Sequence, residues 1–97
     1  MSAPDELIHQ ALRLKIMASL HAGGTSQAFD FTTLKKLVDA TDGNLGSHIA
    51  TLEKAGYVRT EKDFVGRKPR TRVWMTPAGA TAFRNHVNYL RNVIDAV

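Results

Sequence analysis

The stretch that decides the fold is Thr41-Asp42-Gly43-Asn44-Leu45-Gly46-Ser47-His48-Ile49-Ala50-Thr51-Leu52-Glu53-Lys54-Ala55-Gly56-Tyr57-Val58. Leu45, Ile49 and Leu52 recur at spacings of four and three, the period of a helix with one buried stripe. The helix begins near Asp42, and Gly56 closes it in the left-handed conformation that ends helices. At 100° per residue, the face opposite the stripe carries Asn44, Ser47, His48 and Thr51. These are compact hydrogen-bonding groups without a carboxylate, suited to base edges and phosphates in a major groove. The competing reading is a solvated polar face. Such faces usually carry Lys and Glu pairs, and here Glu53 and Lys54 come only at the helix's end.

Upstream, Thr32 reads as the N-cap of a short helix over 33–38 with Leu34, Leu37 and Val38 facing inward. The turn Asp39-Ala40-Thr41 joins it to the decisive helix. Phe29-Asp30-Phe31 is a short extended piece, and Gly23-Gly24-Thr25-Ser26-Gln27 is a loop by composition. The first helix is expected over 4–22, with Pro4 at its start and Asp5 and Glu6 in its first turn. It bears two apolar stripes, Ile8-Leu12-Ile16 and Leu7-Ala11-Leu14-Ala18, wider than a simple surface helix needs.

Downstream, Tyr57–Phe64 and Thr71–Met75 read as paired strands, with Val65-Gly66-Arg67-Lys68-Pro69-Arg70 as the loop between them. Thr76-Pro77 is a strong start signal for a last helix over 77–97. The order is helix, short strand, helix, tight turn, helix, hairpin, long helix. Two helices about a tight turn with a hairpin behind them make a winged helix-turn-helix. The expected fold class is therefore α+β, mostly α, in one domain. Its parts are an N-terminal helix (4–22), a helix-turn-helix (32–56), a wing hairpin (57–76) and a C-terminal dimerisation helix (77–97).

Charge is unevenly placed. Residues 1–50 carry four Lys/Arg against five Asp/Glu, and residues 51–97 carry nine against four. Within Arg59–Arg72 lie Arg59, Lys62, Arg67, Lys68, Arg70 and Arg72 against Glu61 and Asp63, a net +4 equal to that of the whole chain. A basic excess concentrated in one hairpin is an electrostatic footprint for a polyanion; a basic but merely solvated loop is the alternative. Arg67, Lys68 and Arg70 are expected at a tip stiffened by Pro69, where an Arg can enter a narrow A/T-rich minor groove. Arg59, Lys62 and Arg72 are expected on the strands, against phosphates.

Other chemistry is excluded or unsupported. The chain has no cysteine, which removes disulfides, thiolate zinc sites and iron–sulfur clusters. His9, His21, His48 and His86 are scattered without the spacing of a helix-borne metal site, so no metal and no cofactor are expected. Ser47 and His48 are adjacent and point about 100° apart on a helix, which rules out a nucleophile–base pair. No enzyme is expected. Met1–Glu6 has neither a basic nor an apolar signal region, and no stretch approaches the roughly 20 apolar residues of a membrane span. A cytoplasmic, non-membrane protein is expected.

The last helix carries Ala80, Phe83, Val87, Leu90, Ile94 and Val97 at spacings 3-4-3-4-3, the seam of a coiled coil. A helix serving only its own small core needs such a stripe for two turns. The surplus points to a homodimer through Leu7, Ala11, Leu14, Val87, Leu90, Ile94 and Val97, against the alternative of one helix wrapped on its own core.

The segments Asp30–Leu37, Thr41–Ile49, Leu52–Val58, Gly66–Thr71 and Thr76–Gly79 together resemble the small single-domain winged-helix regulators of the MarR/ArsR type, over roughly residues 7–95. The resemblance implies a transcription regulator that dimerises through its terminal helices. Carried over by position, it puts Asn44, Ser47, His48 and Thr51 on the recognition helix and Arg67, Lys68 and Arg70 on the wing. Such relatives commonly have Ser-Arg before the histidine, where this chain has Gly46-Ser47. The recognition helix therefore lacks an Arg for bidentate guanine contact, and Gly43 and Gly46 cost it about 1–2 kcal/mol of helix propensity. The expected function is a sequence-preferring binder of double-stranded DNA, a homodimeric repressor. The alternative is a winged helix that binds a partner protein without specific DNA readout. No residue pattern identifies a pocket for a small-molecule effector.

Overall fold

The computed structural model describes residues 3–96. The decisive helix, α3 (Asp42–Lys54), starts where Thr41 accepts a hydrogen bond from the Asn44 N–H. It ends in a Schellman motif, in which the Gly56 N–H donates to the Glu53 carbonyl and the Tyr57 N–H to the Leu52 carbonyl, with Gly56 at φ 82°. Leu45, Ile49 and Leu52 are buried as the period requires.

The preceding helix, α2 (Phe31–Val38), begins earlier than its sequence signal. Asp30, not Thr32, is the N-cap, because the strand β1 (Phe29–Asp30) pairs Phe29 with Val73 and leaves Phe31 free to turn inward. Leu34 and Val38 are buried, whereas Leu37, expected inside, is 58% exposed. Phe31, Leu34 and Val38 define the inner stripe at spacings of three and four, and Leu37 lies off it.

The N-terminal helix is shorter than expected. Instead of one helix over 4–22, Asp5 caps a single turn, accepting from the Leu7 and Ile8 N–H groups. Gln10 then leaves helical geometry at ψ 133° and caps α1 (Ala11–His21) through the Arg13 N–H. The cause is tertiary. Asp5 is pinned from two sides, its carboxylate by the Tyr57 hydroxyl (2.6 Å) and its N–H by His86 Nδ1 (3.0 Å). The break drops Ile8 fully into the core beside Ile16, Met17 and Leu20. Among the other striped positions, Leu12 and Leu14 are half-buried against the core, and Ala11 and Ala18 are exposed.

The strands β2 (Val58–Val65) and β3 (Lys68–Met75) form an antiparallel hairpin, and β1 adds to β3's other edge, giving the order β1-β3-β2. The expected six-residue loop is replaced by a two-residue turn, Gly66-Arg67, with Gly66 at φ 63° and Val65 paired to Lys68. Pro69 sits within β3, opposite Phe64, and Arg70 opposite Asp63. Proline is tolerated there because β1 pairs only with Arg72 and Val73, leaving β3's outer edge open beside Pro69.

Helix α4 (Pro77–Asp95) starts at Thr76, which accepts from the Gly79 N–H and donates to the Gly56 carbonyl (2.6 Å). Gly79 is required: a Cβ there would overlap the Tyr57 carbonyl oxygen. The seam changes character along the helix. Ala80 and Phe83 are buried, Val87 and Leu90 half-buried, and Ile94 is 70% exposed; Val97 lies outside the described residues. His86 is fully buried on the same helix, off the expected seam.

Candidate nucleic-acid interface

The outward face of α3 carries Asn44 and Ser47 in the open and His48 and Thr51 half-buried. Thr51 Oγ1 donates to the Ser47 carbonyl at 3.1 Å, so its hydroxyl proton is used within the helix. His48 is not free to rotate, because Arg13 Nη1 on α1 lies 3.0 Å from its Nδ1 while Arg13 Nε donates to the Leu7 carbonyl. A guanidinium can only donate, so Nδ1 accepts and the neutral imidazole carries its proton on Nε2. Arg13 thus holds the imidazole from α1 and leaves Nε2 as its donor. Sequence reading missed it, since its partner lies thirty-five positions away.

Strand alternation sorts the hairpin into two faces. Thr60, Lys62 and Phe64 on β2, with Thr71 and Pro69 opposite, turn toward α3. Thr60, Lys62 and Thr71 share a hollow of about 300 Å³ with Gly46, Ala50 and Glu53 of α3. Glu53 ties the two walls together by accepting from both the Thr60 N–H (2.9 Å) and hydroxyl (2.7 Å).

The reverse face holds Arg59, Glu61 and Asp63 against Trp74, Arg72 and Arg70. Arg70 grips Asp63 with two hydrogen bonds of 2.9 and 2.6 Å. Arg72 lies 3.3 Å from Asp63 and 3.6 Å from Glu61, and Arg59 is 2.8 Å from Glu61. Arg59 and Arg72 also stand 4.2 and 5.0 Å from the Trp74 ring centre. The bond from Arg70 holds the Asp63 carboxyl below the ordinary carboxylate range. Three of the six expected DNA contacts, Arg59, Arg70 and Arg72, are therefore already paired. Among the described residues Lys62, Arg67 and Lys68 make no ion pair.

The histidines are less scattered than the sequence implied. His9 and His86 meet edge to face at 5.3 Å, with Tyr89 beside both, where α4 meets the N-terminal segment. Burial, and secondly His9, lowers the His86 pKa below the ordinary 6.5, with Asp5 opposing. The Asp5 carboxylate pushes the Tyr57 hydroxyl up to about 12. Among the described residues no cluster of three or more His, Asp or Glu could hold a metal ion. None of their helices is long and apolar enough to cross a membrane.

Of the residues expected at a subunit contact, Leu7, Leu14, Val87 and Leu90 are half-buried, and Ala11 and Ile94 are exposed with Val93 beside the latter.

The profile of the winged helix DNA-binding domain family matches residues 12–94. An uncharacterised protein of Methanocaldococcus jannaschii is 32% identical over 82 residues, covering 84% of this chain and 86% of its own. A transcriptional regulator homologue from Pyrococcus horikoshii superposes with a TM-score of 0.84 at 35% identity, covering 95% of this chain and 88% of its own. A MarR-family transcriptional regulator from Silicibacter pomeroyi shares the fold at a TM-score of 0.73 and 24% identity, over 94% of this chain and 58% of its own.

Proposed function

We propose, from the premise that this chain belongs to the winged helix DNA-binding domain family, that it works as a homodimeric repressor in the cytoplasm. That it is a DNA-binding transcription regulator follows from the family and from its regulator homologues. In the proposed mechanism, two copies set their α3 helices about one helical turn apart, some 34–36 Å, on a palindromic site. Asn44, Ser47 and the preset Nε2–H of His48 face base edges, while Lys62, Arg67 and Lys68 lie along the flanking backbone. The observation that carries this reading is the two-faced wing, whose unpaired cations are Lys62 on the α3 side and Arg67 and Lys68 at the tip, while the reverse arginines are held by Glu61 and Asp63. Dimerisation is supported by the distal turns of α4, where Val93 and Ile94 stand in water. Covering an aliphatic side chain is worth about 1.5–3 kcal/mol, a large share of a small domain's stability.

The test has two arms. Duplexes selected from a random pool should bind with an affinity that falls about three decades between 50 and 200 mM salt if some six phosphates are contacted. A protein held to a partner by apolar contact would show no such slope. Leu90→Glu with Ile94→Glu should convert a sedimenting dimer into a monomer that releases its site. A wild-type chain already monomeric at micromolar concentration would defeat the dimer.

A further inference from the structure

Phe64 is 71% exposed near the end of β2, and Val65 beside it is 56% exposed. Phe64 contributes nothing to the core, and its cross-strand partner is Pro69. The pair lies outside the core at the end of a solvated hairpin, open to whatever the tip meets. Phe64 shares its face with Thr60 and Lys62, the side that looks toward α3. The nearby carboxylate, Asp63, points to the reverse face and is held by Arg70 and Arg72.

Reach decides what the tip can meet. Thr60 is fastened to α3 through Glu53, and Phe64 lies four residues further out. At about 3.3 Å per residue that is about 13 Å. A helix seated in a major groove about 12 Å wide therefore brings the tip across one phosphate strand, to the adjoining minor groove. The chemistry fits that groove. Apolar wedges such as Phe and Pro enter it between base steps, while phosphates border it within reach of the exposed Arg67 and Lys68. A symmetric contact with a second copy fits worse, since it would bring four uncompensated cations together.

We infer that Phe64, backed by Pro69, is an apolar wedge that enters the minor groove of double-stranded DNA beside the segment read by α3. It acts as a specificity residue by favouring an easily unstacked pyrimidine–purine step, TA or CA/TG, at that position. The inference rests on the DNA-binding reading and adds to it a residue that carries no charge.

That absence of charge gives the test its signature. Wild type, Phe64→Ala and the double variant Arg67→Ala, Lys68→Ala are titrated against the selected duplex and against one with its flanking step replaced by a stiff A-tract, across 50–200 mM salt. Phe64→Ala should lose about tenfold in affinity for the selected duplex, with an unchanged salt slope and no remaining preference between the two duplexes. The double variant should lower the slope by about 1.8 and keep the preference. Wild-type affinity and preference in Phe64→Ala would overturn the inference. So would a sedimentation mass that changes in this variant without DNA, which would make the tip a contact between copies. If wild type binds no duplex at all, the DNA-binding reading fails first, an outcome separable from either of these.

Discussion

The two faces of the wing carry the same kinds of residue and do opposite things with them. On the reverse face, Arg59, Arg70 and Arg72 are spent on Glu61, Asp63 and the Trp74 ring. On the face toward α3 and at the turn, Lys62, Arg67 and Lys68 stand without a carboxylate. Charge counted along a sequence is therefore different from charge available to a ligand. The period of two in a strand decides which side each residue joins, and pairing across the ladder decides what remains. Lys68, opposite Val65, also falls on the reverse by alternation, so the net +4 of Arg59–Arg72 divides into +2 on the back, where the arginines are paired, +1 from Lys62 on the front and +1 from Arg67 at the turn.

Replacing Lys62, Arg67 and Lys68 together by Ala should break the comparison most visibly. Three lost phosphate contacts lower the salt slope of binding by about 2.7, whereas the triple replacement of Arg59, Arg70 and Arg72 should lower it by less than one. Equal slopes for the two triples would show that the faces do not differ in use. A second contrast lies between the wing and α3. His48→Ala should cost about 1–3 kcal/mol of discrimination at one base pair with little change in slope, and Arg13→Ala should reproduce part of that loss by freeing the ring. Base-pair scanning of the selected site measures both. If Arg13→Ala changes only the slope, it is a phosphate contact.

Asp63→Asn works in the other direction. It frees Arg70 and Arg72 from their strongest partner, so affinity for random duplex should rise and the slope steepen by up to about 0.9. A variant that binds random DNA no better than wild type would show that the reverse face never reaches a phosphate.

The smallest effect expected is that of mild acid. The Asp63 carboxyl titrates below the ordinary carboxylate value, so its stabilising pairs persist until strongly acidic pH and are lost only as pH falls through that lowered value. His86 behaves differently. Its folded pKa lies below 6.5, so the unfolded chain takes up the proton first. Stability is full above that ordinary value and declines as pH falls below it. The groups around His86 are His9, Tyr89 and Asp5, with Tyr57 bonded to the last. Melting at about pH 7 and about pH 5.5 should show a lower midpoint in acid. His86→Gln, which can still accept the Asp5 N–H, should flatten the difference. An unaltered difference would place the proton uptake elsewhere.

What was legible in the sequence was what local chemistry controls. Gly56 closes α3 and Thr76-Pro77 opens α4, each by a cap or a positive φ set locally, whereas Thr41, read as a turn residue, is the cap of α3 and Gly66 sits in a two-residue turn instead of a six-residue loop. The other misread positions are governed from far away. Pro4-Asp5-Glu6 looks like a helix start, but Tyr57 and His86 claim Asp5 and hold the segment to one capped turn. Pro69 looks like a loop residue because its permission to sit in a strand comes from the shortness of β1. For the candidate site, the outward face of α3 followed from periodicity alone. Pairing on the reverse of the wing was hidden, since Arg70 meets Asp63 only once the turn is known to be two residues long. Phe64 had a quieter signal, an aromatic alternating outward beside cations.

The joint between the wing and α4 has a mechanical consequence. Thr76 bonds the Tyr57 carbonyl with its N–H and the Gly56 carbonyl with its hydroxyl, and Gly79 lets the helix backbone rest directly on Tyr57. Such a seat holds the base of the hairpin against the first turn of the helix, and the two meet as the arms of a set square. From Gly79 to Asp95 the arm is about 24 Å long, and a tilt of about 5° at the seat displaces its far end by about 2 Å. A grip on the exposed turn around Ile94 would therefore act on the base of the hairpin through a lever of that length.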